Sequence, residues 1–482
     1  MTWAGRILLR DRFSRIAINT AVRGAGLALQ LPVLRDFFLD RLLRRLETSH
    51  EQCDDDRERL SHDRWFGRHL KAFLHRLINE RPAAAKAILR FIATWSQDVR
   101  RRADAGRGGL VTPCTVVIEP TDRCNLSCPG CYAKSTRHGS DLPYDRLEEI
   151  VEQVVDMGVT LVTISGGEPF IREKTDRALT RLAERFIHRG FLVYTNGTLI
   201  DEEIAERLAN VGNIFPAISV EGFEHQTDAR RGRGIYAQNR LARRLLAARG
   251  VMAGFSATMT RQNADSICTD EFIELRIEEG DLFGWFFLLQ PIGRTPRPDL
   301  MVTAEQRAKL RQTIYRWRAE DRPIFLGDFW NDGHLVGGCI AGGRYYFHIH
   351  ANGDISPCVF APVVCGNIFD IISGKSRHRS LAEFVQDNPL FRAFRQAQEG
   401  ITDRTRPCLL IDHPEAIRRC CSLAEYKPAQ NMPAGYLDGD IARILDVVAA
   451  EWREYCATKL PPLPAEKGRY QPAEGAAIVG SA

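Results

Sequence analysis

The sequence predicts an α/β fold: a barrel or partial barrel of parallel strands, preceded by a helical basic region and followed by a small α+β extension. Three observations predict it. From residue 115 short apolar runs alternate with amphipathic stretches through six successive β-α units. Four of the apolar runs end in glycine, polar or thiol residues, as expected where loops at strand C-terminal ends carry function. After about residue 322 the alternation stops and hairpin and cysteine signals take over. We therefore divide the chain into 1–110 (helical, basic), 111–322 (barrel), 323–435 (cysteine-bearing extension) and 436–482 (a last helix and tail).

In chain order, the first region holds a stretch from Ile16 to Leu43 in which Leu27, Leu34, Phe37, Phe38 and Leu42 alternate with Arg23, Arg35 and Arg41. Such a helix either lies on an anionic membrane surface or caps the main domain with its arginines in solvent. Helical periodicity continues over 64–102, and a polar glycine-rich link follows at 101–109. The expected strands are Thr115–Glu119, Leu161–Ser165, Phe191–Thr195, Phe215–Val220, Gly254–Met259 and Phe283–Gln290. Helices are expected near 145–157, 175–189, 201–210, 235–249, 264–279 and 303–319. Farther on, Tyr345–His350 and Asp354–Phe360 flank Ala351-Asn352-Gly353, a hairpin signal, and a helix is expected near 440–456.

Composition excludes several classes. A hydrophobic share of 44% and a charged share of 26% are those of a globular protein. A net charge of +5 over 482 residues does not imply nucleic acid. Thirteen cysteines are clustered in a long chain, unlike a secreted disulfide scaffold. No uninterrupted apolar run in the first 45 residues reaches the ~18–20 needed to span a bilayer. The expected setting is a reducing cytoplasm, with membrane association only through the N-terminal helices.

The chemistry centres on Cys124-Asn125-Leu126-Ser127-Cys128-Pro129-Gly130-Cys131, a C-x3-C-x2-C loop directly after the first strand. Thiolates are soft ligands for zinc and iron–sulfur clusters. A zinc site wants four ligands, and the nearest fourth candidate is His138. Three cysteines leave a four-iron cluster one ligand short, an opening for a small chelating molecule.

Followed by Gly166-Gly167-Glu168-Pro169 after the second strand, this loop resembles the radical S-adenosylmethionine superfamily over roughly residues 113–300. The resemblance implies a partial (β/α)6 barrel with a [4Fe–4S] cluster on Cys124, Cys128 and Cys131. It also implies S-adenosyl-L-methionine chelated at the open iron, and a reducing donor such as flavodoxin or ferredoxin. Gly166 and Gly167 would let backbone approach that ligand, and Glu168 would accept from its ammonium. Tyr132 is the candidate beside the adenine; many members place an aromatic residue just before the third cysteine, where this chain has Gly130. Asn196 and Ser219 are candidates near the ribose. Arg231 would clamp the carboxylate, the alternative being a surface arginine in the basic loop of Arg230, Arg231 and Arg233.

Cys339, Gly353 and Cys358 resemble the opening of the SPASM or twitch extension, which carries auxiliary clusters. The dense cysteine run that completes that pattern is missing, so one auxiliary [4Fe–4S] cluster is expected rather than two. Its candidates are Cys339, Cys358 and Cys408, with Cys365 or Cys420 as the fourth; the alternative is a set of buried free thiols. His348 and His350 share one strand face, read as a polar sheet face.

The expected function is radical S-adenosylmethionine chemistry on an unidentified substrate: a small lipophilic molecule or lipid, or alternatively a peptide or protein. A non-enzymatic iron–sulfur scaffold or electron carrier is the reading from another class. The Gly-Gly-Glu-Pro cradle argues against it, since a carrier needs no open iron.

Overall fold

A computed structural model describes residues 109–462 continuously, together with scattered positions between 76 and 106. The stretch from Ile16 to Leu43 and the tail beyond 462 lie outside the described residues.

Seven parallel strands form the main sheet: β1 (Thr115–Ile118), β2 (Leu161–Ile164), β3 (Gly190–Thr195), β4 (Ile214–Ser219), β5 (Gly254–Met259), β6 (Phe283–Leu288) and β7 (Phe325–Asp328). β1 to β6 are short, largely buried and mostly apolar runs, as strands covered on both faces must be. β8 (His348–Ile349) lies parallel to β1 on its outer side. β9 (Asp354–Ser356) returns antiparallel to β8, and β11 (Gly366–Asn367) pairs with β9. The order β11-β9-β8-β1-β2-β3-β4-β5-β6-β7 is linear, so the barrel is open. β10 (Val363–Val364) and β12 (Lys427–Pro428) form a separate ribbon.

The crossovers begin at recognisable caps. Helix α1 (Tyr144–Asp156) follows Pro143. The 175–189 stretch is two helices, α2 (Phe170–Asp176) and α3 (Ala178–Arg185), broken at Arg177, whose φ is +55°. α4 (Glu202–Val211) starts where Asp201 Oδ1 accepts from Ile204 N at 2.9 Å. α5 (Glu224–Arg231) precedes α6 (Ile235–Ala248). The 264–279 stretch also divides, into α7 (Ala264–Ile267) and α8 (Asp270–Glu278), because Thr269 Oγ1 caps Phe272 N at 3.2 Å. α9 (Ala304–Ala319) opens on a capping box between Thr303 and Gln306.

Among β1–β7 and α1–α9, two elements were not expected. α5 has a single buried residue, Thr227, and so no apolar period to read. β7 is four residues containing Gly327 and Asp328, too short and too polar for a strand signal. It lies beyond residue 322, so the expected boundary falls inside the parallel sheet.

The extension shares the barrel's core. One buried cluster joins Ile118, Val162 and Leu182 to Ile349, Ile355 and Phe391; another joins Phe255, Phe286 and Trp317 to Phe360, Leu409 and Ile417. α12 (Pro389–Glu399) and α14 (Asp440–Thr458), following α10 (Ile368–Ile372), α11 (Leu381–Asp387) and α13 (Pro414–Leu423), close the far side. At the strand N-terminal end, Leu77 and Ile88 pack with Leu192, Phe215 and Phe283, and Asp98 Oδ2 accepts from Thr160 Oγ1 at 2.7 Å. These upstream residues plug that end. No helix among the described residues is long and apolar enough to cross a membrane.

Gly284 in β6 lies beneath the Phe255 ring, where an added Cβ would meet the ring at 2.2 Å. Phe255 is fully buried. Gly284→Ala is expected to cost about 1–3 kcal/mol by overpacking, read as a lower urea midpoint. An unchanged midpoint would show that the ring gives way.

Candidate active site at the strand C-terminal rim

The cysteine loop is built as an extension of the sheet. After β1 the chain folds back on itself: Asp122 N donates to Ser140 O at 3.0 Å and Cys124 N to Thr136 O at 2.8 Å. The turn after β2 docks on it, with Gly167 N donating to Thr121 O at 2.9 Å and Glu168 N to Arg123 O at 2.8 Å. A Cβ on Gly167 would sit 1.9 Å from Arg123 O, so only glycine allows this approach. Gly166, at φ +102°, turns the chain above Glu119 and Thr121.

Glu168 is fully buried, and its carboxylate is taken by the protein. Oε1 accepts from Phe170 N (3.0 Å) and Thr195 Oγ1 (2.7 Å), and Oε2 from Asn196 N (2.7 Å). It ties the turn after β2 to the end of β3. Burial raises its pKa despite these donors. Asn196 likewise faces the cysteine loop: Nδ2 donates to Asn125 Oδ1 at 2.9 Å and approaches Cys124 Sγ at 3.9 Å. Asn125 Nδ2 returns a bond to Thr198 Oγ1 at 2.8 Å. Asn125 escaped the sequence reading because an asparagine between two cysteines carries no signal of its own.

Ser219 ends β4 with its Oγ 3.4 Å from Ser256 Oγ. Arg231 is not a surface arginine. It closes α5, is largely buried, and pairs with the fully buried Glu221 through Nη2–Oε1 at 2.6 Å. Burial would lower its pKa, but Glu221 and the facing Cys128 and Cys131 raise it. Arg230 takes the other oxygen of Glu221 at 2.8 Å. Tyr132 reaches the end of β2: its hydroxyl meets Ser165 Oγ at 2.5 Å, and its ring packs edge-on against Phe360 of the extension at 5.6 Å.

A second trio of thiols lies in the extension. Cys339, Cys358 and Cys408 are each in electrostatic reach of the others. Cys358 Sγ is 2.7 Å from Tyr346 Oη. Cys365 is placed differently: its thiol lies 3.4 Å from Ile355 O, with Asp354 as its charged neighbour. Three of the cluster candidates share a local device, an amide two residues on aimed at sulfur: Leu126 N to Cys124, Phe360 N to Cys358 and Leu410 N to Cys408, each at 3.4 Å. Cys339 receives the amides of Ala341 and Leu409. Such bonds to sulfur suit metal-bound thiolates. Burial pushes the free thiols of Cys124, Cys358 and Cys408 up to about 12 and Cys339 to about 11.

Spacing separates a cluster from a single ion. Tetrahedral zinc–thiolate bonds of ~2.3 Å put sulfurs about 3.8 Å apart. Among the described residues, one group of three or more possible ligands has all donor atoms within 4.8 Å of one another, and it contains no cysteine. Neither trio therefore has all three sulfurs within 4.8 Å of one another, as a single zinc ion would need. His138 is exposed and stands outside any such group.

The compact group is Glu119, His348 and His350, at the ends of β1 and β8. His348 Nε2 lies 3.1 Å from Glu119 Oε1, and His350 Nδ1 3.6 Å from Oε2. Burial pushes His348 down to about 4, so its ring is neutral near pH 7. Burial alone would raise Glu119, yet the imidazoles beside it hold it below the usual carboxylate range. These directions oppose each other, since a charged His348 would hold Glu119 lowest. The burial of His348 prevails, because an imidazolium there has no water around it. The sequence showed the two histidines on one face but not the carboxylate 229 positions upstream that makes them a cluster.

Residues 118–263 match the family described as the radical SAM superfamily, and residues 339–415 match SPASM, an iron–sulfur cluster-binding domain. The chain is 30% identical over 353 residues to the mycofactocin maturase MftC of Mycolicibacterium smegmatis, covering 68% of this chain and 83% of that one. It is 24% identical over 318 residues to the PqqA peptide cyclase of Granulibacter bethesdensis (63% and 80%), and 26% over 344 residues to an AdoMet-dependent heme synthase of Methanosarcina barkeri (65% and 89%). Among solved structures, native anSMEcpe with bound AdoMet and Cp18Cys peptide has the same fold, with a TM-score of 0.50 at 19% identity over 72% of this chain and 98% of that one. The loop and turn thus belong to a shared architecture, and the chain is a member of the radical S-adenosylmethionine superfamily, an enzyme of [4Fe–4S] and S-adenosylmethionine chemistry with a SPASM domain.

Proposed function

We propose that this enzyme removes hydrogen from a peptide substrate, using a catalytic cluster on Cys124, Cys128 and Cys131 and one auxiliary cluster on Cys339, Cys358 and Cys408. The observation that carries the reading is the backbone docking of the Gly-Gly-Glu-Pro turn on the cysteine loop. The donor sets fit the groups: wide thiol trios with amides aimed at sulfur, in a rim whose walls are aromatic. Bound there, the cluster and S-adenosylmethionine supply one-electron sulfonium cleavage and a 5′-deoxyadenosyl radical that abstracts hydrogen.

The chain's own residues position and shield. Gly166 and Gly167 keep the turn bare of side chains, leaving backbone to face the ligand. Asn196 and Asn125 fix the loop, and Glu168 fixes the turn. Arg231 holds positive charge beside Cys128 and Cys131 while Glu221 orients it. Ser219 stands on the rim at β4. Tyr132, Phe287, Phe329, Trp330 and Phe360 form a linked set of rings between barrel and extension that keeps water from the reacting atoms. A peptide is favoured over a lipophilic small molecule because the relatives include a maturase and a peptide cyclase, matched over 68% and 63% of this chain. A low-potential donor of the flavodoxin or ferredoxin class would supply the electron.

Iron counting tests the assignment. Anaerobically reconstituted wild type is expected to hold about eight irons, four per cluster. Replacing Cys124, Cys128 and Cys131 by Ala leaves about four and abolishes 5′-deoxyadenosine. Replacing Cys339, Cys358 and Cys408 leaves about four and retains it. Cys365→Ala keeps about eight; a loss of four in that variant would put Cys365 in the auxiliary site.

Gly167→Ala is expected to displace the loop and cost the catalytic cluster alone, seen as about four irons lost with the fold intact by circular dichroism. Full iron in this variant would separate the docking from cluster binding. For the substrate, short peptides encoded beside this chain's gene are incubated with enzyme, reductant and S-adenosylmethionine. A mass change dependent on all three is expected; a change found only in a lipid extract would favour the lipophilic reading.

A further inference from the structure

We propose that Glu119, His348 and His350 form a binding site for one divalent first-row transition metal ion, distinct from both thiol trios. Three observations carry it. The first is geometry. N···O separations of 3.1 and 3.6 Å bracket the about 3.3–3.5 Å that tetrahedral bonds of ~2.0–2.2 Å to nitrogen and oxygen impose. The two rings are 4.1 Å apart between centroids, and every donor pair lies within 4.8 Å.

The second is an unmet polar demand. His348 is fully buried, and among the described residues neither of its ring nitrogens has a hydrogen-bond partner; the close approach of Nε2 to Glu119 lacks hydrogen-bond alignment. A buried imidazole left so is costly, and a metal ion satisfies the nitrogen that faces the carboxylate.

The third is preparation around the ligands. His350 Nε2 bonds Ser356 Oγ at 2.8 Å, which fixes the ring with Nδ1 toward Glu119. Glu119 and His350 also line a cleft with Asp122, Asn352, Asp354 and Asn431, so an ion can reach them from solvent. Two imidazoles and one carboxylate form a donor set for zinc or iron(II), and imidazole also suits copper and nickel. Magnesium and calcium prefer all-oxygen shells.

The position gives the ion a consequence. Glu119 ends β1 and leads into the cysteine loop, and a Cβ on Gly166 would lie 2.9 Å from Glu119 Cβ. His348 and His350 belong to the hairpin of the extension. One ion would cross-link barrel and extension directly beneath the Gly-Gly-Glu-Pro turn.

The test uses the cluster-loaded holoprotein, with Zn2+ as probe. Protein is reconstituted, stripped of loose metal with a chelator and desalted, then equilibrated with Zn2+ and desalted again, and both metals are counted. Wild type is expected to retain about one zinc per chain with its iron unchanged. X-ray absorption at the zinc edge should show nitrogen and oxygen neighbours and no sulfur. Glu119→Gln, which preserves shape, and a His348→Phe, His350→Phe double variant should each lower zinc affinity more than tenfold while iron and cluster absorbance stay. Zinc uptake matched by iron loss, sulfur in the zinc shell, or equal uptake by Glu119→Gln and wild type would overturn the site. The readout needs no S-adenosylmethionine and no substrate, so it stands or falls separately from the proposed reaction.

Discussion

The whole site depends on one close approach, that of Gly167 to the carbonyl of Arg123. Two segments separated by more than forty residues meet backbone to backbone there, through Gly167 N–Thr121 O and Glu168 N–Arg123 O. No side chain fits between them. The cysteine loop has little regular structure of its own, so its position is borrowed from β2 through these bonds and from β3 through Asn196 and Asn125. The parallel register of β1, β2 and β3 sets the height of all three strand ends. A shift in any of them would move the thiols relative to the turn, and ligand positioning is unforgiving of such shifts.

The extension is part of the same frame. β8 continues the sheet past β1, and both large hydrophobic clusters cross from barrel to extension. Tyr132 makes the link at the site itself, holding Ser165 on one side and Phe360 on the other, while Asn431 Nδ2 donates to its carbonyl at 3.0 Å. The two thiol trios therefore keep a fixed relation. A flexible tether would let the auxiliary group drift; a shared core does not.

The sequence made legible what local pattern and spacing encode. Six of the seven parallel strands were readable because each is an apolar run bounded by turn residues, as Gly254–Met259 is. The three-cysteine loop and Gly-Gly-Glu-Pro were readable because their chemistry needs that spacing. β7 was not, being four residues with Gly327 and Asp328 inside. Glu168 and Asn196 were read as ligand contacts; in the fold each also holds a neighbour, Glu168 the end of β3 and Asn196 the cysteine loop. Cys365 was one of two candidates for a fourth auxiliary ligand; it precedes β11, with its thiol 3.4 Å from the Ile355 carbonyl. What escaped the reading is long-range: Glu119 beside His348, Asp412 beside Arg307.

That last pairing reveals how the thiols are kept. Each trio has an arginine close by, and in each case a buried acid holds it: Arg231 with Glu221 near Cys128 and Cys131, Arg307 with Asp412 near Cys408. Asp412 also accepts from Cys408 N at 2.9 Å, so the pair braces the loop mechanically. Without Asp412, Arg307 would draw Cys408 toward thiolate. With the charge matched, burial dominates, and Cys124, Cys339, Cys358 and Cys408 remain protonated at neutral pH. Free thiolates at the rim would be open to oxidation. Thiolate is the form that binds iron, so a cluster held by these thiols would release their protons as it binds.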